Sequence, residues 1–357
     1  MENEEVNNES LFKQLYSVLV KISPYLISIF VIILIGLSFI GNMFVVSHEV
    51  DGQLISNNVS LATLLFEHTA GVSAEIYFIF IYLLLPLIAC VLLVFSPKHL
   101  YFKTASMIIF LTISVASIVS KDLYLEAIYY YYKTIEGVKY SFELSDFSLS
   151  YVMPIVCYFV SFIICFVSSF KDIHFSIKDI TEMGVFIALA YGLNFIKIMP
   201  MPTGGSVNLQ MLPLFFLALR RGPLKGFIAG GIVYGLITCL TDGYGFATYP
   251  LDYLLGFGSI AAFGFFSPYI LVVGEKRYTL KGELLLLAAG VIATTIRFIA
   301  GTVSSMVVYG YDIIPAMAYN SLYIFVSGAL SLAILMALLG PLCRINTRFP
   351  VLEERGL

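Results

Sequence analysis

Ten apolar stretches are the feature of this sequence that most restricts its fold. Hydrophobic residues make up 59% of the chain and charged residues only 12%, about half the charged fraction of a typical soluble domain. So much apolar surface cannot be buried in one water-surrounded core, and a helix needs about 20 residues to cross a bilayer. We therefore expect an all-α integral membrane protein with about ten transmembrane helices. The predicted spans are residues 25–47, 77–96, 104–120, 151–170, 182–199, 207–219, 224–241, 251–273, 282–308 and 315–342.

Lysine and arginine residues predict the orientation of these spans. If the N-terminus is cytoplasmic, fifteen of the 20 Lys and Arg lie on inner segments and span ends, four lie on outer ones, and Arg297 lies within a span. Positively charged residues are retained preferentially on the cytoplasmic side. We therefore expect a multi-pass protein of the cell membrane, surrounded by lipid, with both termini in the cytoplasm.

The spans fall into two groups. Residues 1–170 carry four spans and form an N-terminal membrane extension, to which the sequence assigns no function. Residues 182–345 carry six spans with tight connections and many small residues, and are predicted to form a second, six-helix domain. Between the groups, the charged segment 171–181 is predicted to be an interfacial linker helix. Residues 346–357 are predicted to form a cytoplasmic tail.

Several function classes find no support in the sequence. The net charge of −3 argues against nucleic-acid binding, which needs a basic face. The five cysteines are scattered without metal-ligand spacing and are expected to be small buried hydrophobes. Neither a GxxxxGK[ST] phosphate loop nor an HExxH motif occurs, so we expect no metal, no cofactor and no enzymatic activity. If ATP drives transport, another subunit must hydrolyse it.

Polar side chains inside the spans are the candidate site residues. A charged residue at the bilayer centre costs about 2.5–3.5 kcal/mol on insertion scales and usually marks a functional site. These groups either converge on an outward-facing pocket for a small polar ligand or form a structural Asp252–Arg297 pair with asparagines capping helix ends. The candidates are Asp252 with its neighbours Tyr249 and Tyr253, Arg297, Asn208 and Asn320.

The stretch PTGGSVNLQMLPLFFLALRRG, residues 202–222, joins a glycine turn to an arginine pair. We expect the turn of Gly204, Gly205 and Ser206 to lie outside. Two glycines allow an unusual backbone, which suits a lid and equally a tight turn without a ligand. Arg220 and Arg221 are expected to anchor the other end at the cytoplasmic face.

Small residues recur at helical spacing on two spans. Gly226, Gly230, Gly231 and Gly235 lie on the seventh span, where they allow a neighbouring helix to approach closely. The fifth span repeats small residues every fourth position, and that face is expected to contact a helix of this bundle or of another protein. Its members are Gly184, Ala188 and Gly192.

Six stretches of residues 178–345 carry a family resemblance through their order and spacing. They are DITEMGVFIALAYGL, PTGGSVNLQMLPLFFLALRRG, GFIAGGIVYGL, YPLDYLLGFG, FIAG and AYNSLYI. This region resembles the thiamine-specific S components of energy-coupling-factor (ECF) transporters. The resemblance implies a six-helix subunit that binds a vitamin from outside, and a coupling subunit with two ATPases that drives its release inside.

The resemblance also implies roles for single residues. Gly184, Ala188 and Gly192 would dock the coupling subunit, and the turn at 204–206 with Asn208 would cover the vitamin. Asp252 and Tyr253 match the family's acidic-Tyr pair, whose carboxylate faces the cationic ligand. Asn320 matches an asparagine suited to the polar edge of the ligand.

Three departures from the family pattern bear on the substrate. Arg297 stands where the family commonly has histidine, Pro315 stands where a tyrosine is usual, and the chain has no tryptophan to stack on the ligand. A guanidinium repels a cationic ligand, so an Arg297–Asp252 pair would favour a thiamine precursor, a phosphorylated form or another vitamin. The residues that can replace the stacking tryptophan are Tyr244, Tyr249, Tyr309 and Tyr311.

Two other functions remain open at this point. A stand-alone secondary transporter of a small polar metabolite would need ion-coupling groups near the midplane and a repeat between halves. A non-transport membrane protein that reuses the fold would have its pocket blocked by an Asp252–Arg297 bridge.

Overall fold

The chain forms two units. The described residues of the first unit lie within 2–117 and 149–170, and the second unit is built on residues 175–349. The structure is a computed structural model. It describes residues 2–50, 53–60, 62, 79–96, 100–119, 149–170, 175–202, 204–272 and 279–349.

The described residues of the first unit form four helices and a β-hairpin. Ser28 on the first helix and Ser106 on the third donate hydrogen bonds to backbone carbonyls of the second, at 3.3 Å and 2.9 Å. Phe110 stacks on Tyr158 at 6.3 Å between ring centroids. The helices are α1 (Glu2–Ile40), α2 (Ile79–Phe95), α3 (Leu100–Val119) and α4 (Leu149–Phe170).

The hairpin corrects the prediction of a helix over 25–47. Helix α1 ends at Ile40, and strand β1 (Asn42–Val50) pairs antiparallel with strand β2 (Gln53–Ser60). Short apolar runs rich in valine suit a strand as well as a helix. The two residues between the strands are Asp51 and Gly52, a favoured hairpin pair, and their own structure lies outside the described residues.

The second unit contains seven helices and a small two-stranded sheet. Strand β3 (Met199–Pro200) pairs with β4 (Ser206–Val207) across the glycine turn. The predicted span 315–342 is divided between two helices at Leu338. The predicted tail from residue 346 begins inside the last helix, and residues 350–357 lie outside the described part of the chain. The helices are α5 (Ile177–Asn194), α6 (Met211–Arg221), α7 (Pro223–Asp242), α8 (Phe246–Ile270), α9 (Leu280–Tyr309), α10 (Ile313–Ala337) and α11 (Leu339–Arg348).

Helix α5 begins inside the segment that was predicted to be a separate linker helix. Ser176 and Asp179 form a capping box at its N-terminus, and the helix then continues to Asn194. A serine followed three residues later by a carboxylate is a start signal for a helix, so residues 177–181 form the first turns of the fifth predicted span. The remaining linker residues, 171–174, lie outside the described part.

Five helical segments in the described part are long and apolar enough to cross a membrane. The predicted span 207–219 is not among them, because α6 has 11 residues, most of them buried. Apolar helices this short are usually core helices. The five are Lys21–Ile40, Pro223–Asp242, Phe246–Ile270, Leu280–Met306 and Ile313–Ala337, with shorter apolar helices at Ile79–Phe95, Phe102–Ile118 and Val152–Ser168.

The glycines of α7 allow close contact with α8, as the spacing predicts. A Cβ at Gly231 would lie 2.6 Å from the Leu254 carbonyl oxygen, and one at Gly230 would lie 2.9 Å from that of Phe257. Real Cβ atoms do not approach oxygen so closely, so only glycine permits this helix pair to pack as observed. Helix α8 is thereby held against α7 along its π-helical stretch, Tyr249–Leu255.

Arg220 and Arg221 lie in a buried ion-pair cluster, which changes the interpretation of the pair as a simple membrane anchor. Both are at most 9% exposed. Glu182 accepts hydrogen bonds from both arginines, and Asp179 accepts from Arg221 at 2.6 Å and from Lys225 at 2.8 Å. Burial opposes ionisation of Asp179, but Lys225 and Ser176 outweigh it and hold the pKa of that carboxyl below its usual value. The cluster joins α5, α6 and α7.

Candidate functional site

A cavity in the second unit gathers most of the predicted site residues. It lies between the glycine turn and helices α8, α9 and α10, and it is lined by Asp252, Tyr253, Arg297 and Asn320. The space open to the centre of a water molecule measures about 120 Å³, well above the minimum of about 10–15 Å³ that a single water needs. The site is therefore a cavity that admits water or part of a small ligand.

Asp252 is oriented by a hydrogen bond from the next helix. The Ser304 hydroxyl on α9 donates to its Oδ2 at 2.7 Å. A Cβ at Gly301, one turn earlier on α9, would lie 3.6 Å from Oδ1. Within the described residues Oδ1 accepts no hydrogen bond, so this oxygen is available to a ligand.

Asn320 forms a polar network at the α9–α10 contact. Its amide nitrogen donates to Ser305 Oγ at 2.8 Å and to the Ala316 carbonyl at 2.9 Å. Its amide oxygen accepts from the Tyr323 hydroxyl at 2.9 Å. Because these bonds use most of the amide's capacity, Asn320 mainly orients Ser305 and Tyr323 towards the cavity.

Arg297 lines the cavity without a carboxylate partner. It is 9% exposed, and its guanidinium carbon lies 4.3 Å from the centroid of the Phe257 ring. Neither a hydrogen bond nor an ion pair engages the guanidinium among the residues that the structure describes, and no ion pair joins it to Asp252. The Asp252–Arg297 pair, one of the two alternatives that the sequence left open, is therefore not formed, and both side chains line the cavity.

The glycine turn forms part of the cavity wall. Gly204 and Gly205 have φ values of +116° and +77°, which L-residues with side chains rarely adopt. The Tyr319 hydroxyl donates to the Gly204 carbonyl at 2.6 Å and so fastens the turn to α10. Gly204, Gly205 and Ser206 all line the cavity, in agreement with their predicted position over the site.

Five tyrosines form a continuous aromatic wall along one side of the cavity. Successive ring centroids in this tyrosine wall lie 6.0 to 6.5 Å apart. Three of the four predicted stacking candidates are members, whereas Tyr249 is buried against Phe246 and does not line the cavity. The members are Tyr244, Tyr309, Tyr311, Tyr319 and Tyr323.

Asn208 also lies outside the cavity lining. It is 1% exposed, and its amide donates to Asn194 Oδ1 at 3.2 Å and to Ser206 Oγ at 2.9 Å. Its backbone amide donates to Ser327 Oγ on α10 at 3.2 Å. Asn208 thus holds the turn in place, and the prediction of direct ligand contact does not match its position.

The cavity includes residues that the sequence did not single out. Asp242 at the end of α7 accepts a hydrogen bond from the Tyr253 hydroxyl at 3.2 Å. Tyr319 and Tyr323 flank Asn320 with helical spacing, a signal that the motif AYNSLYI already contained. The additional lining residues are Asn194, Gln210, Asp242, Phe257, Gly301, Ser305, Tyr319, Tyr323 and Ile324.

The predicted docking face lies apart from these groups on α5. Gly184, Ala188 and Gly192 are exposed, and a Cβ at either glycine would meet nothing within 4 Å. Among the described residues, no helix packs closely at these two glycines.

Known proteins with sequences similar to this chain are thiamine transporters. Residues 180–348 match the family described as "Thiamine transporter protein (Thia_YuaJ)". The thiamine transporter ThiT of Bacillus subtilis (strain 168) is 29% identical over 137 residues, which cover 36% of this chain and 69% of that protein. A solved structure of ThiT from Listeria monocytogenes matches at 23% identity with a TM-score of 0.38, over 45% of this chain and 92% of that one.

The family match begins at residue 180 and leaves the N-terminal extension unmatched. The matched region contains the cavity, the glycine turn and the tyrosine wall, and four of the five helical segments able to cross a membrane. The chain is a multi-pass membrane protein whose residues 180–348 match the thiamine transporter family.

Proposed function

We propose that residues 180–348 bind thiamine or a thiamine precursor from outside and act as the vitamin-binding subunit of an ECF transporter. The observation that carries this proposal is the Asp252 carboxylate, which faces an aromatic cavity with one oxygen held by Ser304 and the other unengaged. In a partly desolvated cavity such a carboxylate favours a cationic ring over neutral competitors. The tyrosine wall offers faces on which that ring can stack.

Release of the vitamin requires partners in this proposal. A coupling subunit would dock on the exposed small residues of α5, at Gly184, Ala188 and Gly192, where a partner helix can approach closely. Two ATPase subunits would supply the energy, since the sequence contains no phosphate-binding loop. The cavity would open outside, with both termini in the cytoplasm.

Direct binding tests the proposal on the purified full-length protein. We expect saturable binding of radiolabelled thiamine and a loss of affinity of about tenfold or more in Asp252→Asn, because a hydrogen bond to a charged group contributes roughly 1.5–3 kcal/mol. Asp312→Asn is the matched control: Asp312 is exposed at the start of α10, and its side chain makes no capping bond there. A wild-type protein that binds neither thiamine nor its pyrimidine precursor would refute the proposed ligand.

The two alternative functions have less support. A secondary transporter would need ion-coupling groups in the membrane, but the buried polar side chains described in the first unit are serines and threonines. A fold reused without transport was expected to show an Asp252–Arg297 bridge closing the pocket, and these residues instead leave a cavity between unpaired charges. Uptake into vesicles without ATPase partners would revive the first alternative.

A further inference from the structure

Among the residues that line the cavity, Arg297 carries a positive charge, which the positive charge of thiamine cannot neutralise. Arg297 is 9% exposed as a residue and lines the cavity, and its guanidinium contacts the Phe257 ring. A buried cation needs an anion, carbonyl groups or water to offset lost hydration. Since the described residues offer the guanidinium no hydrogen bond, its donors are left to water or to a ligand.

The two charges of the cavity are separated along helix α9. Arg297, Gly301 and Ser304 follow one another at four- and three-residue steps, which places them on one helix face. Ser304 marks the position of Asp252 through its hydrogen bond. Seven residues at about 1.5 Å each put the Arg297 position roughly 10 Å along the axis from that of Ser304. The α9 positions that mark the two groups, Arg297 and Ser304, are therefore about two helical turns apart, and Oδ1 of Asp252 lies near Gly301 between them.

The environment of Arg297 holds its guanidinium in place for recognition. Its aliphatic stem passes Gly256, where an added Cβ would lie 3.7 Å from the Arg297 Cγ. The planar head lies over the face of Phe257, which restrains its orientation. A guanidinium restrained in this way presents parallel N–H donors that match the two oxygens of a phosphate or carboxylate.

We propose that the ligand carries an oxyanion on the side arm of a thiamine-type cation. The cationic ring faces Asp252 and the oxyanion, a phosphate ester or a carboxylate, accepts hydrogen bonds from Arg297. This inference rests on the proposed function and narrows its ligand class. Plain thiamine would bring a second positive charge towards Arg297 and leave the guanidinium without an anion.

Titration calorimetry on the purified full-length protein tests the proposal with four probes. They are thiamine, thiamine monophosphate, the analogue whose hydroxyethyl arm is oxidised to a carboxylate, and inorganic phosphate. We expect the wild type to bind the phosphate ester or the carboxylate at least tenfold more tightly than thiamine. The tighter of the two identifies the oxyanion.

Two substitutions attribute that preference to the guanidinium. Arg297→Gln is expected to abolish the preference and to raise the affinity for thiamine, because the repulsion between two positive charges is removed. Arg297→Lys is expected to keep part of the preference. Arg344→Gln, at an exposed position on α11 outside the cavity lining, is the matched control and should behave as wild type.

The outcomes separate this inference from the function on which it rests. If the wild type binds thiamine more tightly than both oxyanion forms, the inference fails while the proposed function stands. If inorganic phosphate instead increases the affinity for thiamine, Arg297 holds a separate ion and the single-ligand proposal is wrong. If no thiamine-type probe binds, the proposed function itself fails.

Discussion

Gly204 shows how a single residue determines the shape of this cavity. Its φ of +116° lies in the region that favours glycine, and its carbonyl is held by the Tyr319 hydroxyl. A Cβ at this position would lie 2.6 Å from the Tyr244 hydroxyl oxygen. Backbone conformation and close packing therefore both require glycine where the turn meets the tyrosine wall.

We expect Gly204→Ala to weaken ligand binding by about tenfold or more. A left-handed backbone costs a residue with a side chain roughly 1–2 kcal/mol, and the contact with Tyr244 adds to that cost. Gly310→Ala is the matched control, since Gly310 has φ +66° but an added Cβ would meet nothing within 4 Å. Calorimetric titration of both variants measures the difference. Equal affinities in the two variants would show that the Tyr244 contact does not constrain the turn.

For single residues, the sequence indicated which side chains line the cavity better than it indicated which atoms those side chains contact. Polarity within apolar spans was enough to find Asp252, Arg297 and Asn320, all of which line the cavity. Polarity does not give direction, so Asn208 was predicted to contact the ligand although its side chain bonds within the turn. The pairing of Asp252 with Arg297 could not be decided either, because it depends on how α8 rotates against α9.

At the scale of helices, two faces with small residues behave differently. On α7, Gly230 and Gly231 are buried against α8, and an added Cβ would collide with backbone oxygen atoms. On α5, Gly184 and Gly192 are exposed, with open space where a Cβ would be. The same small-residue spacing thus marks a contact within the bundle on α7 and an unoccupied face on α5.

Ala188→Trp on α5 is expected to separate binding from transport. The large side chain would keep a partner helix away from the small-residue face, while the cavity residues are untouched. We expect affinity within about twofold of wild type, but uptake reduced by at least tenfold in vesicles that also contain the coupling and ATPase subunits. Leu189→Trp is the control, since Leu189 is 52% exposed one position along the same helix. Normal uptake in Ala188→Trp would rule out docking at this face.

Element prediction from apolar periodicity succeeded for long helices and failed for short apolar runs. The segments that became α9 and α10 exceed 20 apolar residues, a length that leaves little alternative to a helix. The end of the first run, NMFVV, instead entered the strand Asn42–Val50, and the Asp51-Gly52 pair was the available signal for that hairpin. The 11 residues of α6 are too few to cross a bilayer, and their burial in the second unit could not be deduced from length alone.

For the molecule as a whole, the cavity belongs entirely to the second unit. Every residue that lines it lies between positions 194 and 324, and the family match covers all of these positions. The buried polar side chains described in the first unit are serines and threonines, several of which bond to backbone carbonyls. Serine and threonine of this kind are typical of helix packing in membranes.

We therefore expect a shortened chain of residues 172–357 to retain vitamin binding. All cavity residues and the ion-pair cluster around Asp179 remain in this chain, so its affinity should stay within about threefold of the full-length protein. Calorimetric titration of both chains in the same detergent measures this, and Asp252→Asn in the shortened chain verifies that the same site is occupied. A shortened chain that is helical and monodisperse but does not bind would show that the first unit contributes to the site. Retained binding with lost uptake would instead assign the first unit to transport, because only the complete chain would then support release of the vitamin.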